Sequence, residues 1–143
     1  MSRRDKFHDH VRKALEKDGW EITHDPYTLT LLDDDGRKRD YPIDLGAENI
    51  LAAERENVKI AVEVKTFGGT STIADYHQAL GQYMDYLLGL QNQEQDRKLY
   101  LAISQQAYKE IQQNPLAKLS VEHYGVSMII FDPRSKNILR WIR

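Results

Sequence analysis

Helical spacing of apolar residues predicts four helices along the chain. The first is predicted over Asp5–Asp18, with Ser2 or Asp5 at its start and Gly19 at its end. Its apolar face is formed by Phe7, Val11, Ala14 and Leu15. A long helix is predicted from Thr70 to Leu90, and its apolar face comprises Ile73, Tyr76, Leu80, Tyr83, Met84, Leu87 and Leu88. Two short helices are predicted over Gln105–Asn114 and Pro115–Tyr124.

Runs of β-branched and aromatic residues predict strands between these helices. They lie at Trp20–His24, Tyr27–Leu32, Tyr41–Leu45, Val58–Phe67, Lys98–Ser104, Val126–Phe131 and Ile138–Ile142. This order of elements predicts an α/β fold with a mixed sheet and helices on its faces.

One predicted strand, Val58–Phe67, breaks its own apolar pattern. Ile60, Val62 and Val64 share one face of the strand, whereas Glu63 and Lys65 point to the other. The flanking strands and the following helix predict a central strand, where both faces are expected to be apolar. A carboxylate and an ammonium at such a position indicate a functional site.

Metal-assisted cleavage of a phosphodiester requires this kind of pair. Asp44 and Glu63, with the backbone carbonyl of Val64, are the predicted ligands of Mg²⁺ or Mn²⁺. Lys65 is predicted to orient the attacking water and to stabilise charge on the phosphate. Asp44, Glu63 and Lys65 are thus the candidate catalytic residues.

Two alternatives stay open for this site. A Glu-x-Lys pair on a strand is often a solvated surface pair, which contributes only about 0–1 kcal/mol. If the register of the strands differs, Asp40, Glu48 or Glu54 would replace Asp44 as the second carboxylate.

Composition narrows the class of protein. The 143 residues are expected to form a single domain over 1–143. The absence of cysteine excludes a disulfide scaffold, a zinc ribbon and a cysteine nucleophile. No apolar run is long enough for a membrane span, and the charged start does not resemble a signal peptide, so a cytoplasmic protein is expected.

Charge argues against tight, purely electrostatic binding of nucleic acid. The 20 Lys and Arg residues are outnumbered by 22 Asp and Glu, giving a net charge of −2. Basic residues nevertheless gather locally, in Arg37–Arg39 and at Arg134, Lys136, Arg140 and Arg143. Such clusters suit DNA phosphates or a solvated surface equally well.

The motif Pro42-Ile43-Asp44 followed by Glu63-Val64-Lys65 resembles the signature of PD-(D/E)xK nucleases. Longer segments resemble the XisH family, known as fdxN element excision controlling factors of cyanobacteria. These segments are DKFHDHVRKALEKDGWEITHDP, YPIDLGAENILAAERENVKIAVEVKTF, DYHQALGQYMDYLLGL and the late FDP.

The resemblance implies a restriction-endonuclease-like, three-layer fold and an accessory role in excising a DNA element. It also implies an XisI-like protein and a site-specific recombinase as partners, besides DNA itself. Nucleases of this fold commonly pair to address two strands, which favours a homodimer by analogy. The competing hypothesis is a non-catalytic accessory factor that docks the XisI-like protein or the recombinase.

Further residues are candidates for supporting roles. Gln82 and Tyr86 match the Gln-xxx-Tyr motif of RecB-like nucleases, and they lie opposite the predicted apolar stripe of the long helix. They would reach over the edge of the site, line an interface or face water. His8 and His10 border the apolar face of the first helix, and His8 is kept as a possible support. His77 is predicted to be a core histidine.

Overall fold

Residues 7–41, 50–67 and 71–143 are described by a computed structural model, and their elements follow the predicted order closely. The helices are α1 (His8–Lys17), α2 (Thr72–Gln93), α3 (Gln105–Gln113) and α4 (Pro115–Tyr124). The strands are β1 (Glu21–His24), β2 (Leu29–Leu32), β3 (Lys38–Tyr41), β4 (Ile50–Arg55), β5 (Val58–Val64), β6 (Arg97–Ser104), β7 (Met128–Asp132) and β8 (Asn137–Ile142).

Six strands form one mixed sheet in the order β1-β4-β5-β6-β7-β8. Strands β5, β6 and β7 run parallel, and the outer pairs are antiparallel. The predicted central position of β5 and the mixed sheet with helices on its faces are therefore confirmed. Strands β2 and β3 form a separate hairpin. None of the four described helices combines the length and apolar character needed to cross a membrane.

The alternation of β5 divides the buried residues into two cores. Ile60, Val62 and Val64 pack with Val11 and Leu15 of α1 on one face of the sheet. Ala61 faces the other core, which contains the buried side of α2. Gly19, with φ of +88°, ends α1 in a conformation that favours glycine, as its position predicts. Ser2 and Asp5, the predicted start of this helix, lie outside the described residues.

The buried face of α2 differs from the predicted stripe. Its buried side chains are those of Tyr76, Ala79, Tyr83 and Leu90. Met84 and Leu88 are exposed, so the prediction that they face the core is wrong. The small side chain of Ala79 lets the helix approach the sheet while the tyrosines fill the space beside it. This rotation also exposes His77, and its prediction as a core residue is wrong.

Strand β4 is absent from the sequence prediction, although it lies between β1 and β5. Its sequence, ILAAER, is rich in alanine, glutamate and arginine, which favour helices in isolation. Pairing with strands on both sides overrides that preference, and Ala52 and Ala53 become fully buried. The strand predicted at Tyr41–Leu45 is described only at Tyr41, which is the last residue of β3.

Helices α3 and α4 confirm the two short helices predicted. The Ser104 hydroxyl accepts a hydrogen bond from the backbone of Ala107 at the start of α3. Asn114 does the same for Ala117 at the start of α4, where Pro115 takes the first position. Gly125 ends α4 with a left-handed φ of +60°. The single-domain extent of 1–143 stays a prediction.

Candidate functional site

Glu63 lies near the end of the central strand with a side chain that is 0% exposed. It follows Ala61 in the alternation of β5, and its Cα pairs with that of Ile50 in β4. The idea that Glu63 belongs to a solvated surface pair is therefore wrong. Burial raises the pKa of Tyr83 on α2, and the negative charge of Glu63 adds to that rise. Glu63 and Tyr83 are thus electrostatic neighbours beneath α2.

Val64 and Lys65 complete the predicted motif at the end of β5. Val64 is the last residue of the strand, and its side chain is buried in the core that contains Val11 and Leu15 of α1. The backbone N–H of Lys65 donates to the carbonyl of Ala102 at 3.0 Å, which extends the parallel pairing by one residue. Lys65 is half-buried. The motif therefore stands at the point where β5 leaves the sheet.

A cleft of about 710 Å³ opens at this same edge of the sheet. Because β5, β6 and β7 are parallel, their carboxyl ends meet there. The walls include Thr66 and Phe67 after β5, Ser104 and Gln105 at the junction of β6 with α3, Lys109 on α3, Asp132 at the end of β7 and Arg134 in the following turn. Ligands of open α/β sheets commonly bind outside the carboxyl ends of the strands.

Sequence reasoning missed Ser104, Lys109 and Asp132 as residues of this edge. In the sequence, Ser104 and Asp132 are visible only as residues at the ends of predicted buried strands. The sequence does not reveal that these strands are parallel neighbours whose carboxyl ends meet. Asp132 has a structural task in the turn, where it accepts hydrogen bonds from the Arg134 backbone and the Ser135 hydroxyl, each at 3.0 Å. The bond from Arg134 is the main cause that lowers the pKa of Asp132.

The second carboxylate is not identified among the described residues. Asp44 and Glu48 lie outside them. Asp40 is exposed on β3, where it accepts a hydrogen bond from Thr30 at 2.8 Å. Glu54 pairs with Lys59 at the opposite end of β5. Over residues 7–41, 50–67 and 71–143, no three His, Asp or Glu side chains are grouped to hold a metal ion.

The residues at the end of β5 nevertheless suit magnesium by their chemistry. Mg²⁺ prefers oxygen ligands, and proteins usually hold it with one or two carboxylates while water and substrate phosphates complete the shell. Glu63 offers one carboxylate, and the adjacent Val64 offers a carbonyl oxygen. One further carboxylate, predicted to be Asp44, would bring the protein ligands to the usual number.

Gln82 and Tyr86 lie beside the buried face of α2, not opposite it. Both are half-buried, and Tyr86 packs against the core that contains Ala61. The rotation of α2 described above brings this side of the helix towards the sheet. The expectation that the two residues simply face water is therefore wrong, and their supporting role stays a prediction.

His8 is fully buried at the start of α1 and is held by an acidic partner. Its Nε2 lies 2.8 Å from Oδ1 of Asp25, and Arg12 donates to the other Asp25 oxygen at 2.6 Å. The ring of His10 stacks on Phe7 with centroids 5.6 Å apart. The contacts of His8 and Arg12 with Asp25 tie α1 to the loop after β1. A supporting role of His8 in chemistry stays a prediction.

The two predicted basic clusters occupy different surfaces. Arg37, Lys38 and Arg39 are exposed on the β2–β3 hairpin. Arg134 stands at the cleft, and Arg140 and Arg143 follow it along and after β8. Because β8 runs antiparallel to β7 and Ile142 pairs with Met128, Arg143 lies at the amino end of β7. Of these three arginines, Arg134 therefore adjoins the carboxyl edge of the parallel strands.

An apolar groove of about 650 Å³ lies between the hairpin and α2. Its walls include Leu31, Leu32, Tyr41 and Leu88, and the exposed fractions of Leu32 and Leu88 are 67% and 66%. The hairpin is seated on the helix by Leu29, which would come within 2.9 Å of a Cβ placed on Gly89. Large exposed leucines around one groove are typical of a surface that binds another protein.

Comparison with known proteins identifies relatives over nearly the whole chain. The family model described as XisH protein matches residues 1–139. The crystal structure of an XisH family protein from Nostoc punctiforme PCC 73102 is 39% identical, covers 97% of this chain and 100% of its own, and has a TM-score of 0.83. That of an fdxN element excision controlling factor protein from Anabaena variabilis is 38% identical, covers 96% and 98%, and also has a TM-score of 0.83. No curated protein matches significantly. The mixed α/β fold is thus that of solved XisH structures, and the chain belongs to the XisH family.

Proposed function

We propose that this chain is a factor that controls excision of a DNA element and acts through phosphodiester chemistry at Glu63 and Lys65. Family membership supports the first part, because a relative covering nearly the whole chain is named an fdxN element excision controlling factor. The second part places the chain among restriction-endonuclease-like proteins of the PD-(D/E)xK type, as a Mg²⁺-dependent deoxyribonuclease.

The burial of Glu63 carries the catalytic part of the proposal. Removing a carboxylate from water costs several kcal/mol in a protein interior. A central strand lined by valine, isoleucine and alanine would bury an apolar residue at no such cost. The exception falls two residues before Lys65, where β5 ends beside the cleft. Departures from a local pattern are expected where function requires them.

Each residue has a separate task in this proposal. Asp44, Glu63 and the Val64 carbonyl would hold Mg²⁺, which neutralises charge on the scissile phosphate when bound. Lys65 orients the attacking water and stabilises the negative charge that develops on the phosphate oxygens. Lys109 and Arg134, on the walls of the cleft, receive flanking phosphates of the DNA.

The test is cleavage of supercoiled and branched DNA with Mg²⁺ or Mn²⁺. We expect Lys65→Ala and Glu63→Gln each to lower the rate by about 100-fold or more, as loss of one transition-state contact does. Lys59→Ala is the matched control, because Lys59 lies on the same strand at its other end. Failure of the wild-type chain to cleave any of these substrates with either metal would contradict the catalytic part.

A second candidate function is a non-catalytic accessory role, in which the chain docks an XisI-like protein or the recombinase. The groove between the hairpin and α2 favours it, because Leu32 and Leu88 leave much apolar surface exposed there.

An assay of DNA-element excision in cells distinguishes the catalytic role from the accessory role. The catalytic role predicts that Lys65→Ala abolishes excision while Leu32→Asp leaves it intact. The accessory role predicts the reverse, together with loss of binding between purified Leu32→Asp protein and the purified XisI-like protein. Val58→Asp, which alters an exposed apolar residue away from the groove, is the control for Leu32→Asp.

A further inference from the structure

The outward face of α2 exposes two large apolar side chains. Met84 and Leu88 are exposed on it, together with Ala74, Gln78 and Gly81. A helix turns by about 100° per residue, so these residues, together with His77 and Asp85, project within about 60° of Gly81 around the helix axis. Lysine and arginine are absent from the whole helix, although long cationic side chains commonly cover such surfaces.

Contacts among the described residues do not explain Gly81, unlike the other glycine of α2. A Cβ on Gly89 would lie 2.9 Å from Leu29, so the packing of the hairpin accounts for that glycine. A Cβ on Gly81 would have no atom of the described residues within 4 Å. Glycine weakens an exposed helix relative to alanine, so its presence here indicates close approach by another molecule.

We propose that the outward face of α2 binds the same face of a second copy of this chain. The two helices run antiparallel and cross at Gly81, where the missing side chains let the backbones approach. A two-fold axis at Gly81 makes each residue before it face the residue equally far after it in the other copy.

The sequence around Gly81 is complementary to itself under that symmetry. His77 lies four positions before Gly81 and Asp85 four positions after it, so each histidine faces the carboxylate of the other copy. Ala74 and Leu88 lie seven positions before and after it, so a small side chain faces a large one. This match of imidazole with carboxylate and of small with large side chains favours a second copy over an unrelated protein.

The surface beside the crossing point has room for the side chains of the other copy. A shallow cavity of about 460 Å³ is lined by His77, Leu80, Gly81, Met84 and Tyr124. Filling it would cover the exposed side chain of Met84. This pairing does not depend on the metal site, which lies under the opposite, buried side of α2.

Sedimentation of the full chain across a range of concentrations tests the pairing. We expect a reversible dimer, and we expect Gly81→Leu and Met84→Glu each to raise its dissociation constant at least tenfold. Leu139→Glu, at an exposed leucine of β8, is the control and should leave the constant unchanged. The proposal would be overturned if the wild-type chain stayed monomeric at concentrations about 100-fold above those used in the DNA-cleavage and unfolding experiments. It would also be overturned if both variants left the dimer intact.

Exchange of His77 and Asp85 tests the antiparallel register independently of folding defects. His77→Asp places two carboxylates face to face, and Asp85→His places two imidazoles face to face, so each should weaken the dimer at least threefold. The double variant restores both pairs and should recover wild-type association. The two residues are about 12 Å apart along one helix, so contact within a chain would not explain the recovery. A double variant weaker than either single variant would overturn the register.

Discussion

His8 and Asp25 form a buried pair that ties the first helix to the loop after β1. The two side chains are 1% and 4% exposed, and Nε2 of the histidine lies 2.8 Å from Oδ1 of the aspartate. Arg12, at 2.6 Å from the other oxygen, gives Asp25 a second partner. The carboxylate therefore joins two positions of α1 to one loop.

Asp25→Ala should lower the free energy of unfolding by about 3 kcal/mol, because it leaves His8 and Arg12 without their buried acceptor. Urea unfolding at neutral pH measures the change. Asp96→Ala is the matched control, since Asp96 is an exposed partner of Lys59 and its removal should cost less than about 1 kcal/mol. Equal losses in the two variants would contradict the role of burial.

Glu94 should make the fold sensitive to acid. The hydrogen bonds from Arg97 chiefly lower the pKa of Glu94 to about 2, and the hydrogen bond from Tyr27 adds to the shift. Because this value lies below that of the unfolded chain, the stabilisation is complete above about pH 4.5 and is lost as the pH falls towards 2.

Glu94→Gln should therefore cost about 1–2 kcal/mol at pH 7, less than the full shift implies because the side chain is about a quarter exposed. The difference from the wild-type chain should shrink between pH 4.5 and 2 in urea unfolding. Glu16→Gln, at an exposed pair with Arg12, is the control and should show little difference at any pH. A Glu94→Gln deficit that persists unchanged at pH 2.5 would argue against this carboxylate as the cause.

Metal binding at the end of β5 should appear as stabilisation without any DNA present. At Mn²⁺ concentrations about 100-fold above the dissociation constant, the gain is about 2.7 kcal/mol, or roughly 5–10 °C in Tm. Glu63→Gln should abolish the shift, whereas Glu54→Gln should retain it, because Glu54 faces Lys59 at the other end of the strand. An equal shift in both variants would place the metal elsewhere.

The salt dependence of DNA binding distinguishes a complex at the cleft from one at the β2–β3 hairpin. Each phosphate contact contributes about 0.9 to the slope of log affinity against log salt. Changing both Lys109 and Arg134 to alanine should lower the slope by about 2, measured by fluorescence anisotropy with a labelled duplex. The matched pair Arg37→Ala with Lys38→Ala should leave it nearly unchanged. The opposite result would assign the DNA to the hairpin.

The sequence predicted those helices and strands whose own apolar spacing matches the positions that are buried in the structure. The apolar positions of β5 and the exceptional Glu63 lie within seven residues, so the local pattern alone reveals that exception. The central position of the strand was predicted from the flanking strands and the following helix. The alanines and charged residues of β4 gain a strand conformation from pairing with β5, which follows after two residues, and with β1, which is distant in sequence. No local signal reports the pairing with β1.

The candidate site shows the same limit. Glu63, Val64 and Lys65 are consecutive, so one motif identifies them. Lys109 and Arg134 reach the same edge through α3 and the turn after β7, and only the parallel order of the strands brings them near. In α2, hydrophobicity predicted burial of Met84 and Leu88, whereas the space available against the sheet selected the tyrosines.

Both outer pairs of the six-stranded sheet contain an irregularity in register. It lies between Ile22 and His24 in β1 and opposite Ile130 and Phe131 in the pairing of β8. Bulged edges bend away from flat geometry and present a poor template for a strand from another chain. We therefore expect the two edges of the sheet to disfavour pairing with a strand from another copy, so that the sheet remains six strands wide in concentrated solution.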